Sequence, residues 1–424
     1  MLFSLIAEPL TGLVDTAFIA RLGSGHLAAL GVGTTVLSSI FWIFNFLGIG
    51  VQTEVAQAAG RQDTEHAARI NTLAILLSAA SGILITIIGH LLTEPITVLL
   101  GANDALRSHA IRYIDIRWFG APAVLITLTA FGALRGLQDM RNPLWIALVV
   151  NAVNIILDPI LIFGYGPFPA FGIAGAAIAS VISQWIGAAW AVAAVSRQVG
   201  FDRNIRLQDT TNLMKIGGDL FIRTGLLNLF FILTTRAATR IGAESGAAHQ
   251  AIRQVWMFST LVLDAFALTG QSLVGFYFTP ENLHIARRVA STVCLWCVAS
   301  SVVLSGVMWL GTDLVRAVLV PPGAVSVFFF PWFVVIMLQP VNAIAFATDG
   351  VHWGTGDFRY LRNAVMIATG LGTMGIAMID ESHPDALALV WVVAAAWISI
   401  RALFGILRIW PGIGKSPLSL SHGD

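Results

Sequence analysis

Two carboxylates seven residues apart, Glu8 and Asp15, lie in the first apolar run of the chain, with Pro9 and Gly12 between them. That spacing brings both onto one face of a helix. A third acid, Asp158, closes the segment Asn151-Ala-Val-Asn-Ile-Ile-Leu-Asp158, and Pro159 follows it. Asn151, Asn154 and Asp158 therefore share one helical stripe. Ser180, Ser183 and Gln184 add hydroxyl and amide groups in the next run. Burial disfavours the charged form of a carboxyl group, and a second carboxyl alongside disfavours it further. Such a pair takes up a proton, or coordinates Na⁺ with help from amide oxygens. Each proline removes a backbone hydrogen bond and loosens its helix. Other roles exist for the same residues: capping of a kinked backbone for Asp15 and Asp158, interhelical hydrogen bonding for Asn151 and Asn154, and an interfacial charge for Glu8.

The elements that must position these groups are membrane spans. Of 424 residues, 57% are hydrophobic and only 11% are charged, against about 25% charged in a soluble domain. The mean hydropathy is +0.81. This excludes a cytosolic enzyme, a disordered chain and a nucleic-acid binder, and the net charge of +1 gives no field to attract nucleic acid. A span takes roughly 20 apolar residues. Twelve stretches qualify: 1–20, 28–58, 70–92, 110–133, 143–163, 172–196, 213–238, 247–277, 289–311, 324–348, 361–380 and 386–409. The runs are too long, and too little alternating, for barrel strands. The first run has no basic lead and carries Asp15, so it is not a cleavable signal. It starts at Met1 with no lead-in, which leaves room for an upstream start codon.

Neither cysteine nor histidine chemistry is expected. Cys294 and Cys297 sit in one apolar run as core or lipid-facing residues. Nine histidines are scattered, read mostly into loops, and no metal cluster, nucleophile elbow or P-loop occurs. The reading is not an enzyme, with no cofactor and no metal.

Lys and Arg divide 15 to 6 between the two sets of loops, with three more near or within spans. The richer side is read as cytoplasmic and takes both termini; Arg117 falls in the poorer, outer set. The central basic connector separates six helices from six. A shift of 218 residues aligns Pro122 with Pro340, Gly132 with Gly350, Gly136 with Gly354, Asp139 with Asp357 and Arg141 with Arg359. A shift of 219 aligns Arg21-Leu-Gly with Arg240-Ile-Gly and Gln52 with Gln271. One deletion reconciles the two shifts, so the chain reads as a duplicated six-helix unit. The expected divisions are an N-lobe over 1–196, a cytoplasmic linker over 197–212, a C-lobe over 213–410 and a cytoplasmic tail over 411–424. Two parallel repeats are a transporter plan. The second half is poorer in acids: Asp264 pairs with Asn45 under the shift, Asp349 lies near a cytoplasmic helix end, and helix 7 has Asn228 but no acid in its middle. Glu54 is expected to face the inner vestibule.

These motifs are familiar as a set. Pro9-Leu-Thr-Gly-Leu-Val-Asp-Thr-Ala-Phe-Ile resembles the first helix of the MATE (multidrug and toxic compound extrusion) family, in its DinF-like branch. Gln57-Ala-Ala-Gly60, Arg135-Gly-Leu-Gln-Asp-Met-Arg-Asn-Pro-Leu144, Asn154-Ile-Ile-Leu-Asp-Pro159, Gly172-Ile-Ala-Gly-Ala-Ala177 and Gly354-Thr-Gly-Asp-Phe-Arg-Tyr-Leu-Arg362 are similar to later family segments. The resemblance implies an all-α polytopic membrane protein, with twelve transmembrane helices as two six-helix repeats in a V-shaped fold. It implies that Asp15, Asn154 and Asp158 form the cation pocket; the sixth-helix position where relatives place a nearby hydroxyl falls on Ala176 or Ser180, with Ser180 preferred. Other branches use an acid in helix 7, where this chain has Asn228-Leu-Phe-Phe231.

The combined expectation is a monomeric secondary antiporter in a bacterial inner membrane. It exports organic cations or xenobiotics in exchange for H⁺ or Na⁺. Asp15 takes the proton, assisted by Asn154 and Asp158, with Asn151, Ser180 and Glu8 in support, and helix 1 bends at Pro9–Gly12. The alternative is a lipid or polysaccharide-precursor flippase, for which Arg223, Arg236 and Arg253 are the embedded cations.

Overall fold

The computed structural model describes residues 2–100, 104–202 and 204–419, with side chains described from residue 11 onward except at 104, 105 and 207. No strand occurs among them. The helices run in order: α1 (Leu2–Ala20), α2 (Ser24–Ile43), α3 (Phe46–Gly60), α4 (Thr64–Leu99), α5 (Asp104–Trp118), α6 (Ala121–Gly136), α7 (Arg141–Phe163), α8 (Ile173–Val199), α9 (Leu207–Ile241), α10 (Ala243–Tyr277), α11 (Leu283–Leu310), the short α12 (Thr312–Leu319), α13 (Val325–Thr355), α14 (Phe358–Ala377) and α15 (Ala386–Ile409). Nine helical segments among the described residues are long and apolar enough to cross a membrane, α2 and α3 counting as one. The α5–α6 pair, bent by 48°, makes a tenth. With α1 and α14 these are the twelve expected spans.

Lipid explains both the secondary structure and its surface. A backbone with no water to bond must satisfy itself, which helices do. Leu84, Leu91, Leu295, Trp296 and Val303 are all more than half exposed along their helices, as suits contact with acyl chains. Where helices meet one another, small residues let backbones approach.

The chain divides into two compact units, Met1–Gly217 and Gly218–Asp424. In the first, α6 packs on α3 and α4, α7 on α8 and α1, and α2 on α5. In the second, α13 packs on α10, α11 and α15. The duplication is visible atom by atom. A Cβ on Gly136 of α6 would lie 2.8 Å from Gln52 O and 3.0 Å from Val55 Cβ of α3. One on Gly354 of α13 would lie 2.8 Å from Gln271 O and 3.0 Å from Val274 Cβ of α10. Gly132 against Gly48 and Gly350 against Ala267 repeat the pattern one turn earlier. The repeats differ at their prolines. Pro122 stands just after the α5–α6 break, while Pro340 lies inside the unbroken α13.

Only residues 200–206 separate α8 from α9. The connector is fastened to the first unit. Asp202 N donates to Thr72 Oγ1 at 3.1 Å, and Arg69 Nε donates to Asp209 Oδ2 at 3.4 Å. His66 Nε2 lies 3.5 Å from Glu54 Oε2.

Candidate functional site

In the first unit α1 packs against α7 and brings Asp15 to the stripe predicted on α7. Asp158 is fully buried, Asn154 nearly so and Asp15 half-buried. The Asp15 and Asp158 carboxyl groups lie within hydrogen-bonding reach of each other. Asn154 Nδ2 approaches Asp158 Oδ1 at 3.5 Å. Three buried oxygens here, Asp15 Oδ1, Asn154 Oδ1 and Asp158 Oδ2, receive no hydrogen bond from the protein. Pro159 lies inside α7, so the carbonyl four residues before it loses its helical donor as well. Oxygens without donors in an apolar interior are a cation's surroundings, and two facing carboxyls are a proton's.

The remaining predicted residues are placed less centrally. Asn151 sits one turn before Asn154, half-buried on the same helix. Ser180 is buried in α8, where its carbonyl accepts from Ser183 Oγ at 2.9 Å; no hydrogen bond joins its side chain to the acids. Glu8 falls within α1, but its side chain lies outside the described residues.

Arg117 is a residue that the sequence reading placed elsewhere. It is not in an outer loop. It ends α5 just before the bend, half-buried, and it is the cation whose charge acts on both Asp15 and Asp158. Its Nη1 donates to Gln184 Oε1 at 2.9 Å, and it hydrogen-bonds the buried Tyr113. The available signal was the rule that an intramembrane acid seeks a cation; the register of the broken span hid it. Trp118, next in sequence, is fully buried and donates Nε1–H to Thr93 Oγ1 at 2.9 Å.

Comparison with known proteins bears on this arrangement. Residues 1–160 match the MatE family model. The chain is 30% identical over 422 residues to "Protein DETOXIFICATION 44, chloroplastic" of Arabidopsis thaliana, covering 96% of this chain and 80% of that one. The chain belongs to the MATE family. It is also 26% identical to the "DNA damage-inducible protein F" of Escherichia coli (strain K12), over 97% of this chain and 90% of that one. Its fold matches a crystal structure of MATE in the bent conformation, with a TM-score of 0.88 at 19% identity, covering 98% of this chain and 94% of the other. This MATE protein is thus a multi-pass membrane transporter. Relatives from a plant as well as a bacterium widen the setting beyond the bacterial inner membrane that the sequence reading assumed.

The second unit of this MATE chain has a different polarity. Asp349 of α13 is buried between two arginines: Arg401 Nη2 of α15 donates to its Oδ2 at 2.8 Å, and Arg223 Nη2 of α9 bonds the same oxygen. Arg401 lies over the Trp397 ring at 4.7 Å and Arg223 over Trp353 at 5.1 Å. Asp349 is therefore a fully engaged counter-ion. In the Asn228-Leu-Phe-Phe segment, Phe230 stacks on Trp397 with centroids 4.3 Å apart. His352, which the expected span over 324–348 leaves in a loop, is buried within α13, and His249, inside the expected span over 247–277, is buried within α10. Glu54 partners His66.

Proposed function

We propose that this MATE transporter is a secondary antiporter that exports organic cations and other xenobiotics in exchange for H⁺ by alternating access. One observation carries the reading: Asp15, Asn154 and Asp158 converge in the first unit and keep three buried oxygens without protein donors. Both acids cannot hold charge side by side in an apolar interior without a cation. A proton bridging the carboxyls, or a cationic substrate beside them, supplies that charge, and the two compete. Proton entry neutralises the site and releases substrate; proton loss toward the other side restores its attraction. Arg117 limits how negative the emptied site becomes. Na⁺ coordinated by the same oxygens is the alternative ion. Asn151 and Ser180 are supporting polar groups. We place both termini in the cytoplasm on the strength of the Lys and Arg bias, and the bacterial relative supports a bacterial inner membrane as one setting.

The flippase reading wants free embedded cations for a pyrophosphate. Of the three embedded cations, Arg223 is bound to Asp349 and Arg236 is exposed, which leaves Arg253 alone, one charge for a multiply charged group, so the antiporter is favoured. The test is ethidium efflux from energised inverted vesicles, under a pH gradient alone and then a Na⁺ gradient alone. Wild type should transport under the pH gradient, and Asp15→Asn and Asp158→Asn should lose at least tenfold. Transport under the Na⁺ gradient alone would reassign the ion. Full efflux by Asp15→Asn would overturn the reading.

A further inference from the structure

The first turns of α4 precede the 70–92 stretch that reads as its span. His66 and Arg69 stand there, three residues apart on one face, and both reach the root of α9. Arg69, only 5% exposed, donates from Nε to Asp209 Oδ2 at 3.4 Å and from Nη1 to Glu65 Oε1 at 2.7 Å. Asp202 Oδ2 lies 4.0 Å from the same Nη1. His66 lies between two acids: Nε2 is 3.5 Å from Glu54 Oε2 on α3, and Nδ1 is 4.0 Å from Asp209 Oδ1. Asp209 belongs to the first turn of α9 and is buried.

The carboxylates of Glu54, Glu65, Asp202 and Asp209 thus gather around one permanent cation, Arg69, and His66 is the group able to supply a second. In its neutral form the ring donates Nε2–H to Glu54 and accepts at Nδ1 from Arg69 Nη2, 3.4 Å away. Nδ1 then offers Asp209 nothing. Protonation puts a hydrogen on Nδ1 as well. That hydrogen cannot point at the Arg69 guanidinium, and the acceptor in reach is Asp209 Oδ1. The ring so exchanges a contact within α4 for one to α9. The hydrogen bond to Glu54, together with the charges of Glu54, Asp209 and Asp63, outweighs the burial that opposes the charged form and holds the His66 pKa above its ordinary 6.5. The other helices packed on α4 end nearby with Arg135 and Asp139 at α6 and Arg197 at α8, and none of these charges acts on the ring.

We propose that His66 is a pH-operated latch that ties the root of α9 to the first unit: protonated, it joins Arg69 in gripping Asp209; neutral, it lets go and leaves Arg69 to hold alone. The second grip is complete below pH 6.5 and is lost as pH rises through the raised value. The chain passes into the second unit along α9, so acidification of this side stiffens the passage. The latch itself does not depend on the antiporter reading. Its consequence for transport, a brake as protons accumulate on the side read as cytoplasmic, rests on that reading.

The test is hydrogen exchange of the full chain in detergent, followed by mass spectrometry on peptides covering 207–217 between pH 6 and pH 8.5, after correction for the intrinsic pH dependence of exchange. Wild-type protection should be roughly two- to fivefold greater at the acid end, the worth of a partly exposed ion pair. His66→Gln, which keeps an amide donor for Glu54 and takes no charge, should lose the pH dependence and hold the alkaline level throughout. Glu54→Gln should move the midpoint to lower pH. Protection in wild type that does not vary with pH, or a variation unchanged in both variants, overturns the proposal. Ethidium efflux from inverted vesicles, where this side faces the medium, tests the brake: the ratio of His66→Gln to wild-type rate should rise as the medium is acidified, and a constant ratio overturns it. Wild type without efflux would refute the antiporter reading, and the exchange result would still decide the latch.

Discussion

Asp349→Asn separates the two kinds of intramembrane acid in this chain. The amide keeps the shape of the side chain and removes the charge that holds Arg223 and Arg401. All three residues are less than 10% exposed, so no solvent replaces it. Removing one partner of a buried ion pair destabilises by about 3–5 kcal/mol. Here two guanidiniums would be left around one amide, so the upper part of that range applies. At roughly 2–4 °C per kcal/mol for a unit of this size, the melting temperature should fall by ~10–20 °C. The indole faces of Trp353 and Trp397 keep their cations and soften the loss. Arg223→Met and Arg401→Met should each fall by less. Either change leaves a neutral one-to-one pair and forfeits one charged hydrogen bond, worth about 1.5–3 kcal/mol. The assay is thermal melting of the detergent-solubilised protein, followed by tryptophan fluorescence, with vesicle efflux in parallel. Asp15→Asn and Asp158→Asn should show the reverse: near-normal melting and lost efflux. If Asp349→Asn melts with wild type, or no lower than the two arginine variants, the cluster is not the charge-balanced unit described above.

Other outcomes follow from the same structure. Gly136→Ala and Gly354→Ala should each destabilise by about 1–3 kcal/mol through overpacking against α3 and α10; Gly218→Ala, with open space around its Cβ, should gain a few tenths to about 1 kcal/mol, all read by thermal melting. Asp139 lies outside the spans. Its burial favours the neutral carboxyl, but hydrogen bonds from the Asn142 side chain and N–H, Gln198 and the Arg141 N–H outweigh this and hold its pKa below the ordinary 3.8. Its stabilising effect should therefore be complete above pH 3.8 and disappear as pH falls through the depressed value; the melting difference between wild type and Asp139→Ala, measured from pH 7 to pH 3, should shrink only at the acid end. A cysteine at the exposed Ser419 should react with a membrane-impermeant maleimide in inverted vesicles and not in intact cells, while the buried Cys294 and Cys297 stay unlabelled in both. Labelling from the outside would reverse the assigned orientation.

Much of this molecule is legible in the sequence because lipid simplifies the code. A run of apolar residues must be a helix, and an acid inside it stands out. The stripe Asn154–Asp158 follows from helical spacing, and its approach to Asp15 is what the family resemblance implied. The offset between Gly136 and Gly354 pointed to equivalent crossings, and the same atoms meet in both units. What spacing does not carry is the partner on another helix. Arg117 looked like a loop residue because the break between Trp118 and Ala121 moves the register of its span. Arg223 and Arg401, 178 positions apart, meet only because α9 and α15 both bring a cation to Asp349. His352 fell outside the expected span over 324–348 because α13 continues to Thr355, past the end of the apolar run.

The glycine crossings bear on how the two units came to differ. A side chain recognises its neighbour by shape and charge, so changing one usually obliges a change in the other. At Gly136 and Gly354 the surface met is largely main chain, the oxygens of Gln52 and Gln271, and every amino acid supplies that oxygen. A joint of this kind is indifferent to what the flanking positions encode. After duplication each copy was therefore free to drift in character without losing its assembly. One copy now holds a paired-acid centre and the other an arginine-rich one, on a shared chassis that either could be redesigned upon.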